Sequence, residues 1–208
     1  MSSVPTRRRR ADGEQTRAAI VEAAARLATI EGLDGLSIGG LADHIGMSKS
    51  GLYAHFGSKE ELQLAAIDAA EVIFSEAVIL PAREPEDPYE RLQSLCEHFF
   101  RYLELPVFPG GCFFASAAAE LDTHPGPVKE RLAQSLAAWM GLLERRAREA
   151  QEAGEIDPAE DPGQLAFELE AFMKMANSHT VLHGGDSGFA NARRAVQARL
   201  ERAHVTKR

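Results

Sequence analysis

Residues 36–62 read LSIGGLADHIGMSKSGLYAHFGSKEEL, and this stretch decides how the rest of the chain is interpreted. Its apolar residues recur three or four positions apart, which places them on one face of a helix. Gly46 interrupts the pattern, and a residue without Cβ can adopt the positive φ of a tight turn there. Ser37 and Ser48 stand where helix N-caps are expected. The stretch therefore predicts two short helices joined by a tight turn, the second running to about His55.

A longer helix precedes this stretch. From Thr16 onward the sequence places apolar side chains on one stripe, and Gly32 and Gly35 are expected to end the helix. The predicted stripe consists of Ile20, Ala23, Ala24, Leu27 and Ile30. Three helices in this order, with a short turn between the last two, form a helix-turn-helix whose final helix can enter the major groove of DNA.

In these residues the chain resembles the TetR family of transcriptional regulators. The family pattern joins an Ala-rich first helix to a Leu-Ala pair, a Gly-Met-Ser turn, an aromatic recognition helix and a Ser-Lys-Glu run. This chain supplies Leu36-Ser37-Ile38, Leu41-Ala42, Ile45-Gly46-Met47-Ser48, Gly51-Leu52-Tyr53-Ala54-His55-Phe56 and Ser58-Lys59-Glu60-Glu61-Leu62. Gly39 and Gly40 depart from the pattern where many relatives carry Arg, Thr or Asp, so fewer base contacts are expected from that helix.

The resemblance implies an all-α fold with a three-helix DNA-binding head and a helical-bundle regulatory body, and the Gly and Pro breaks predict about nine helices. We expect a basic flexible arm at 1–13, a helix-turn-helix domain at 14–57 and a ligand-binding and dimerisation domain at 58–208. The resemblance also implies a homodimer that binds double-stranded operator DNA. A small-molecule effector would release it, so the protein is expected to be a repressor, with no enzymatic activity, cofactor or metal.

The residues predicted to contact DNA are Ser37, Ser48, Lys49, Ser50, Tyr53, His55 and Lys59. Lys49 and Ser50 lie near the N-terminus of the recognition helix, which is the end that meets base edges. Tyr53 and His55 can extend polar atoms to phosphates, because other side chains supply the apolar face of this helix. The remaining three begin helices, where free N–H groups and the helix dipole favour phosphate oxygens.

Charge is distributed unevenly along the 208 residues. The net charge is −8, but residues 1–59 hold 8 Lys and Arg against 6 Asp and Glu, whereas the remainder holds 15 against 25. A mildly basic head on an acidic body is compatible with a phosphate-bearing partner. Arg7–Arg10 are interpreted either as a solvated tail or as an arm that enters an A·T-rich minor groove.

Composition indicates a folded protein of the cytoplasm. Apolar residues at 45% suffice for a core, and charged residues at 26% are ordinary. The apolar runs fall short of the roughly 20 residues that cross a bilayer, and none follows Arg7–Arg10, so neither a membrane partner nor export is expected. Cys96 and Cys112 are too few for a disulfide framework.

Capping residues with Glu or Gln three positions later predict helix starts near Asp12, Ser58, Asp87 and Asp161. The helix that begins at Ser58 is long enough to connect the head to the body.

An effector pocket is predicted in the body by the resemblance more than by composition, because most aromatic and sulfur-containing side chains there are expected to be core. The predicted pocket residues are Phe74, Phe99, Phe100, Tyr102, Phe113, Phe114, Trp139, Met140 and Phe172. Trp139 is the only tryptophan and shares a helical stripe with Leu132, Leu136 and Leu143, so its indole is expected inside the body.

The last two predicted helices, at about 161–183 and 188–204, are rich in Ala, which permits close approach of helix axes. They are predicted to form a four-helix dimer interface with their copies in a second subunit. The residues assigned to this interface are Leu165, Leu169, Phe172, Met173, Ala176, Phe189, Ala192, Val196 and Leu200. The alternative is that these side chains are buried within one subunit.

Three short signals point to other chemistry. GDSG at 185–188 resembles the surroundings of a serine protease nucleophile, but a Gly-rich turn with Ser187 as N-cap explains it better. His179 and His183 have the spacing of two metal ligands, without an obvious third. The two cysteines are interpreted as core residues rather than a redox switch. The leading alternative function is a small-molecule-binding helical protein without DNA function.

Overall fold

A computed structural model describes the backbone of residues 5–105 and 107–205 and the side chains of residues 13–105 and 107–205. Within these ranges the chain forms nine α-helices and no β-strand, which confirms the predicted all-α class. The helices are α1 (Pro5–Glu31), α2 (Ile38–Ile45), α3 (Lys49–Tyr53), α4 (Lys59–Phe74), α5 (Pro88–Glu104), α6 (Phe113–Leu121), α7 (Pro127–Glu152), α8 (Pro162–His183) and α9 (Ser187–Ala203). None of the described helices is both long enough and apolar enough to span a membrane.

Three of the four predicted caps begin helices. The side-chain oxygen of Ser58 accepts from the Glu61 N–H at 3.0 Å, and Asp87 and Asp161 cap α5 and α8 in the same way. The prediction at Asp12 is wrong, because α1 already begins at Pro5 and continues through this position. The backbone of the predicted flexible arm is thus helical from Pro5 onward, while the side chains of Arg7–Arg10 lie outside the described residues.

The head is a helix-turn-helix supported by α1. Gly46 adopts φ +70° at the end of α2, the left-handed conformation that the tight turn requires. Leu41, Leu52 and Phe56 are fully buried and join α2 and α3 to the core. The second short helix ends at Tyr53, two residues before its predicted end, so His55 lies in the turn that follows.

Ile30 does not belong to the buried stripe of α1. Its side chain is 64% exposed, whereas Ala24, Leu27 and Ala28 are buried. At 100° per residue Ile30 lies well to one side of that stripe, and α1 packs its buried face against α4 and α6.

Helix α4 connects head and body, as predicted, but its last turn is not regular. After Phe74 the chain continues through a π-helical turn over Ser75–Ile79 and a 3₁₀ turn over Pro81–Arg83. Such π turns are rare and frequently lie at functional sites. In the body α5 packs against α7, α7 against α8, and α8 against α9.

Candidate DNA interface and effector cavity

Helix α3 presents polar side chains to solvent. Lys49 and Ser50 are exposed, and Tyr53 is 58% exposed although Leu52 beside it is fully buried. The Lys49 ammonium lies 3.8 Å from the Asp43 carboxylate of α2, an exposed pair that DNA can displace at small cost. These three side chains are therefore accessible to a partner, with Lys49 and Ser50 nearest the helix N-terminus.

Ser37 and Ser48 both act as N-caps. The Ser37 hydroxyl accepts from the Gly40 N–H at 3.0 Å, and the Ser48 hydroxyl accepts from the Gly51 N–H at 3.1 Å. A hydroxyl that accepts in this way still has its own proton to donate. Both serines can consequently cap their helices and donate to a phosphate oxygen at the same time.

His55 is held through its backbone by a residue that sequence reasoning missed. The Arg17 guanidinium donates to the His55 carbonyl at 2.5 Å and lies 4.4 Å from the centre of the Phe56 ring. It also lies 3.8 Å from the Glu61 carboxylate. Arg17 thus fixes the turn between α3 and α4, and no sequence motif singled it out because its partners are far along the chain.

Lys59 is tied to the turn between α1 and α2. Its ammonium donates to the Asp34 carbonyl at 2.5 Å and to the Asp34 carboxylate at 3.0 Å. The hydrogen bond and charge of Lys59 lower the pKa of Asp34. One turn later on α4, the Gln63 amide donates to the Leu33 carbonyl at 2.8 Å inside the protein. Any phosphate contact by Lys59 therefore shares the ammonium with Asp34.

The same turn is held from the body by Glu120 of α6. Its carboxylate accepts from the Leu33 N–H at 2.6 Å and from the Asp34 N–H at 2.9 Å. Gly32 precedes them with φ +84°, a conformation that side chains with a Cβ rarely adopt, so glycine is favoured there, and a Cβ would also displace the Glu120 carboxylate. We call residues 32–35, the turn between α1 and α2, the junction turn.

A cavity of about 370 Å³ lies in the body beside the π-helical turn. It is bordered by the end of α4 and by α5, α6, α7 and α8, and its lining consists of Glu71, Phe74, Ser75, Ile79, Arg83, Phe99, Cys112, Phe114, Ala115, Ser135, Leu136, Ala138, Trp139, Leu142, Arg145, Glu170 and Lys174. Four residues predicted for the pocket, Phe74, Phe99, Phe114 and Trp139, are thereby brought together.

The other five predicted pocket residues lie away from this cavity. Phe100 and Met140 directly follow lining residues, and one step along a helix turns a side chain by about 100°. Tyr102 and Phe113 are buried and pack against Phe108. Phe172 lines a separate groove between α8 and α9. Helical spacing alone could not separate core aromatics from lining aromatics.

The two carboxylates in the lining are already engaged. Glu71 receives both terminal nitrogens of Arg131, at 2.9 and 2.5 Å, and the Ser135 hydroxyl at 2.7 Å. The Arg131 hydrogen bond lowers the pKa of Glu71. Glu170 accepts from the Trp139 indole N–H at 2.6 Å, and burial raises its pKa despite this bond.

The described residues offer little support for a redox switch, a metal site or a serine protease. Cys96 and Cys112 are buried and unbridged, and burial raises the pKa of the Cys96 thiol to about 12, so it stays protonated. The His179 and His183 rings are 4.8 Å apart, but no group of three possible metal ligands occurs in the described part of the chain. Ser187 is the first residue of α9 rather than its N-cap, which is Asp186.

The residues assigned to a dimer interface are mostly buried within the subunit. Phe172 is half-buried, but the remaining members of the predicted set are core, so that part of the prediction is wrong. Both faces of α8 are apolar, and the sequence stripe picked out the face that packs inside the subunit. The opposite face exposes Phe167, Met175, Val181 and Leu182.

Comparison with known proteins gives matches in both halves of the chain. The profile described as "Bacterial regulatory proteins, tetR family" matches residues 20–66, and "Tetracyclin repressor-like, C-terminal domain" matches residues 88–196, just over half of the chain. The HTH-type transcriptional regulator LmrA of Bacillus subtilis is 24% identical over 176 residues, covering 81% of this chain and 92% of LmrA.

Solved structures share the fold. A TetR transcriptional regulator from Chloroflexus aurantiacus has a TM-score of 0.86 at 26% identity, over 93% of this chain and 98% of that one. AibR in complex with isovaleryl coenzyme A and operator DNA has a TM-score of 0.67 at 24% identity, over 89% and 97% of the two chains. With matched profiles over the helix-turn-helix and over most of the helical body, the chain belongs to the TetR family of transcriptional regulators.

Proposed function

We propose that this regulator is a homodimeric repressor, which holds operator DNA through α3 and the helix starts around it and leaves the DNA when a small molecule occupies the cavity. One observation carries the proposal: the helices that line the cavity also hold the junction turn. Phe114 and Ala115 of α6 line the cavity, and Glu120 at the other end of α6 binds the junction turn.

Helix α4 makes the same connection independently. Glu71 and Phe74 near its C-terminus line the cavity, while Lys59 and Gln63 near its N-terminus hold Asp34 and Leu33. A ligand that moves the end of α4 or α6 therefore acts on the segment from which α2 starts. Since packed elements shift between discrete arrangements, a small displacement at the cavity can change the orientation of the head.

The change needed for release is a change of spacing. Two recognition helices can occupy successive major grooves only while they are about 34–36 Å apart. A ligand that favours a different spacing weakens DNA binding in proportion to its preference for that state. The similar fold of AibR, whose structure contains isovaleryl coenzyme A and operator DNA together, supports the idea that such a fold accommodates both kinds of ligand.

The exposed face of α8 supports a dimer. Phe167, Met175 and Leu182 lie on one side of the helix, and an apolar groove beside α9 includes Phe172 and Ala195. A contiguous exposed apolar face is typical of an association surface. We assign this face, with the outer side of α9, to the contact between subunits.

The alternative, a small-molecule-binding helical protein without DNA function, is less well supported. It gives no reason for the exposed polar side chains of Lys49, Ser50 and Tyr53 on a helix that the rest of the head holds in place. Operator DNA as the partner also supports a cytoplasmic location.

A mobility-shift assay with the DNA upstream of the gene for this protein separates the two functions. The proposal predicts a sequence-specific complex of one dimer per near-palindromic site at moderate salt, abolished by Lys49→Ala with Tyr53→Ala. Equal affinity for every duplex, or no complex with any, would contradict it.

A further inference from the structure

The inner wall of the cavity is aromatic. Phe74 meets Trp139 edge to face with ring centres 5.0 Å apart, and Phe99 stacks on Trp139 at 5.8 Å. Phe114 completes the wall against Phe74. At about 30 Å³ for each water-sized group, a volume near 370 Å³ admits about a dozen non-hydrogen atoms. This space suits one planar ring with a short side chain.

The cavity offers no unpaired negative charge. Both oxygens of Glu71 are bound by Arg131, and Ser135 donates to one of them. For Glu170, one oxygen accepts from the Trp139 indole and the other lies 3.3 Å from the Lys174 ammonium. A cationic ligand would have to displace one of these protein groups to gain a partner.

Positive charge, by contrast, is in excess at the cavity. Arg83 on the 3₁₀ turn and Arg145 on α7 both line it, and neither guanidinium has a hydrogen-bond or ion-pair partner among the described residues. The Arg145 guanidinium lies close to α7 itself, where a Cβ added at Gly141 would be 3.3 Å from its nitrogen. Both arginines are exposed, so they belong to the mouth of the cavity rather than to its floor.

We infer that the ligand of this cavity is a small aromatic carboxylate, with its ring against Phe74, Phe99 and Trp139 and its carboxylate bound by Arg83 and Arg145. A guanidinium presents paired N–H donors that match a carboxylate, and bonds between two charged groups are the stronger ones. The inference rests on the proposed function only in calling this ligand the effector; the binding itself does not depend on DNA.

Three probes of nearly equal size test which ligand charge the cavity prefers. Phenylacetate, phenylacetamide and phenethylamine are titrated into the full-length protein by calorimetry, with Trp139 emission as a second readout. We expect saturable binding of phenylacetate, binding of the amide weaker by about tenfold or more, and none of the amine. Tighter binding of the amine than of phenylacetate, or no binding of any probe at millimolar concentration, would overturn the inference.

Variants then test the two arginines. Arg83→Gln and Arg145→Gln should each weaken phenylacetate about tenfold and leave the amide unchanged, and the double variant should abolish the preference for the anion. Arg148→Gln is the matched control, because Arg148 lies three residues further on α7, outside the cavity, paired with Glu144. Unchanged phenylacetate affinity in the double variant would show that the arginines are not the site.

The same probes distinguish failure of the inference from failure of the proposed function. If phenylacetate binds as expected but leaves the DNA complex intact, the ligand class stands and the repressor mechanism is wrong. If DNA binds specifically and only cations or neutral molecules occupy the cavity, the mechanism stands and the ligand class is wrong.

Discussion

Lys59 shows, at the scale of single residues, why a motif position does not settle a role. The family pattern assigns it to a phosphate, and the structure gives its ammonium to the carbonyl and carboxylate of Asp34. Both contacts are compatible, since a lysine ammonium has three donors. Lys49 differs, because its ammonium lies 3.8 Å from the Asp43 carboxylate and its side chain is 63% exposed.

We predict different effects of removing these two lysines. Lys59→Ala should weaken every duplex alike and lower the salt slope of binding by about one, since one phosphate contact is lost. Lys49→Ala should also change sequence preference, because its side chain lies at the base-reading end of α3. Binding to operator variants at several salt concentrations measures both. The reverse pattern would exchange the two assignments.

Glu170 provides a prediction for pH. Its pKa is raised by burial, so the folded state binds a proton more strongly than the unfolded chain does. Stability from this group is therefore highest below the unfolded pKa and declines as pH rises through the folded pKa. Glu170→Gln cannot lose a proton and avoids that decline.

The measurement is the free energy of unfolding of both proteins from pH 4 to pH 8. We expect the stability of Glu170→Gln relative to the unsubstituted protein to increase as pH rises. A constant difference would mean that Lys174 and Trp139 compensate fully for burial of the carboxylate. A change in the opposite direction would mean that their effect on the pKa of Glu170 outweighs that of burial.

At the scale of helices and turns, local chemistry was readable from the sequence. Ser37, Ser48 and Ser58 cap helices as expected because a cap is made by neighbours in the chain. The contacts of Glu120 with the junction turn were not predictable, since they join positions more than 80 residues apart. The π-helical turn at Ser75–Ile79 likewise carries no sequence signal of its own.

The apolar pattern of helix α8 is compatible with two orientations of the helix in the subunit. Its apolar residues occupy opposite sides, with Leu169 and Met173 buried and Met175 and Leu182 exposed. Periodicity shows which residues share a face, but it does not tell which face meets the same subunit. For the same reason, four of the nine predicted pocket residues line the cavity, and periodicity alone could not distinguish them from the other five.

We predict that Glu120→Ala loosens the junction turn. Two backbone N–H groups lose a charged acceptor, so the free energy of unfolding should fall by about 2 kcal/mol. The difference in DNA affinity with and without effector should shrink as well, because α6 no longer holds the turn. Glu120→Gln should be intermediate, since its amide oxygen can still accept.

Chemical denaturation and DNA binding together check this prediction. Glu152→Ala is the control, as Glu152 is exposed at the end of α7. If the free energy of unfolding falls as expected but the effect of the effector on DNA affinity is unchanged, Glu120 has only a structural role.

For the whole molecule, the outer face of α8 determines whether two heads can act together. We predict that Met175→Glu with Leu182→Glu produces monomers, because two charges would be desolvated in the interface. Their side chains are 65% and 77% exposed in the subunit, so folding should be little affected. Val72→Glu, at an exposed apolar site on α4, should leave the dimer intact.

Sedimentation velocity measures the oligomeric state of these variants, and circular dichroism measures their folding. A dimer that survives both substitutions would place the subunit contact on another surface. The spacing of the two recognition helices would then be set by helices other than α8 and α9.

We propose that occupation of the cavity and release of DNA are one coupled event. Trp139 lines the cavity, so its emission reports occupation directly, while anisotropy of a labelled operator reports release. We expect the two midpoints to fall at the same ligand concentration when neither the protein nor the operator is in excess. We also expect both midpoints to shift in parallel to higher ligand concentration in Ala115→Phe, which narrows the cavity. Release of DNA at an unchanged concentration in Ala115→Phe, while the Trp139 signal shifts or disappears, would contradict it.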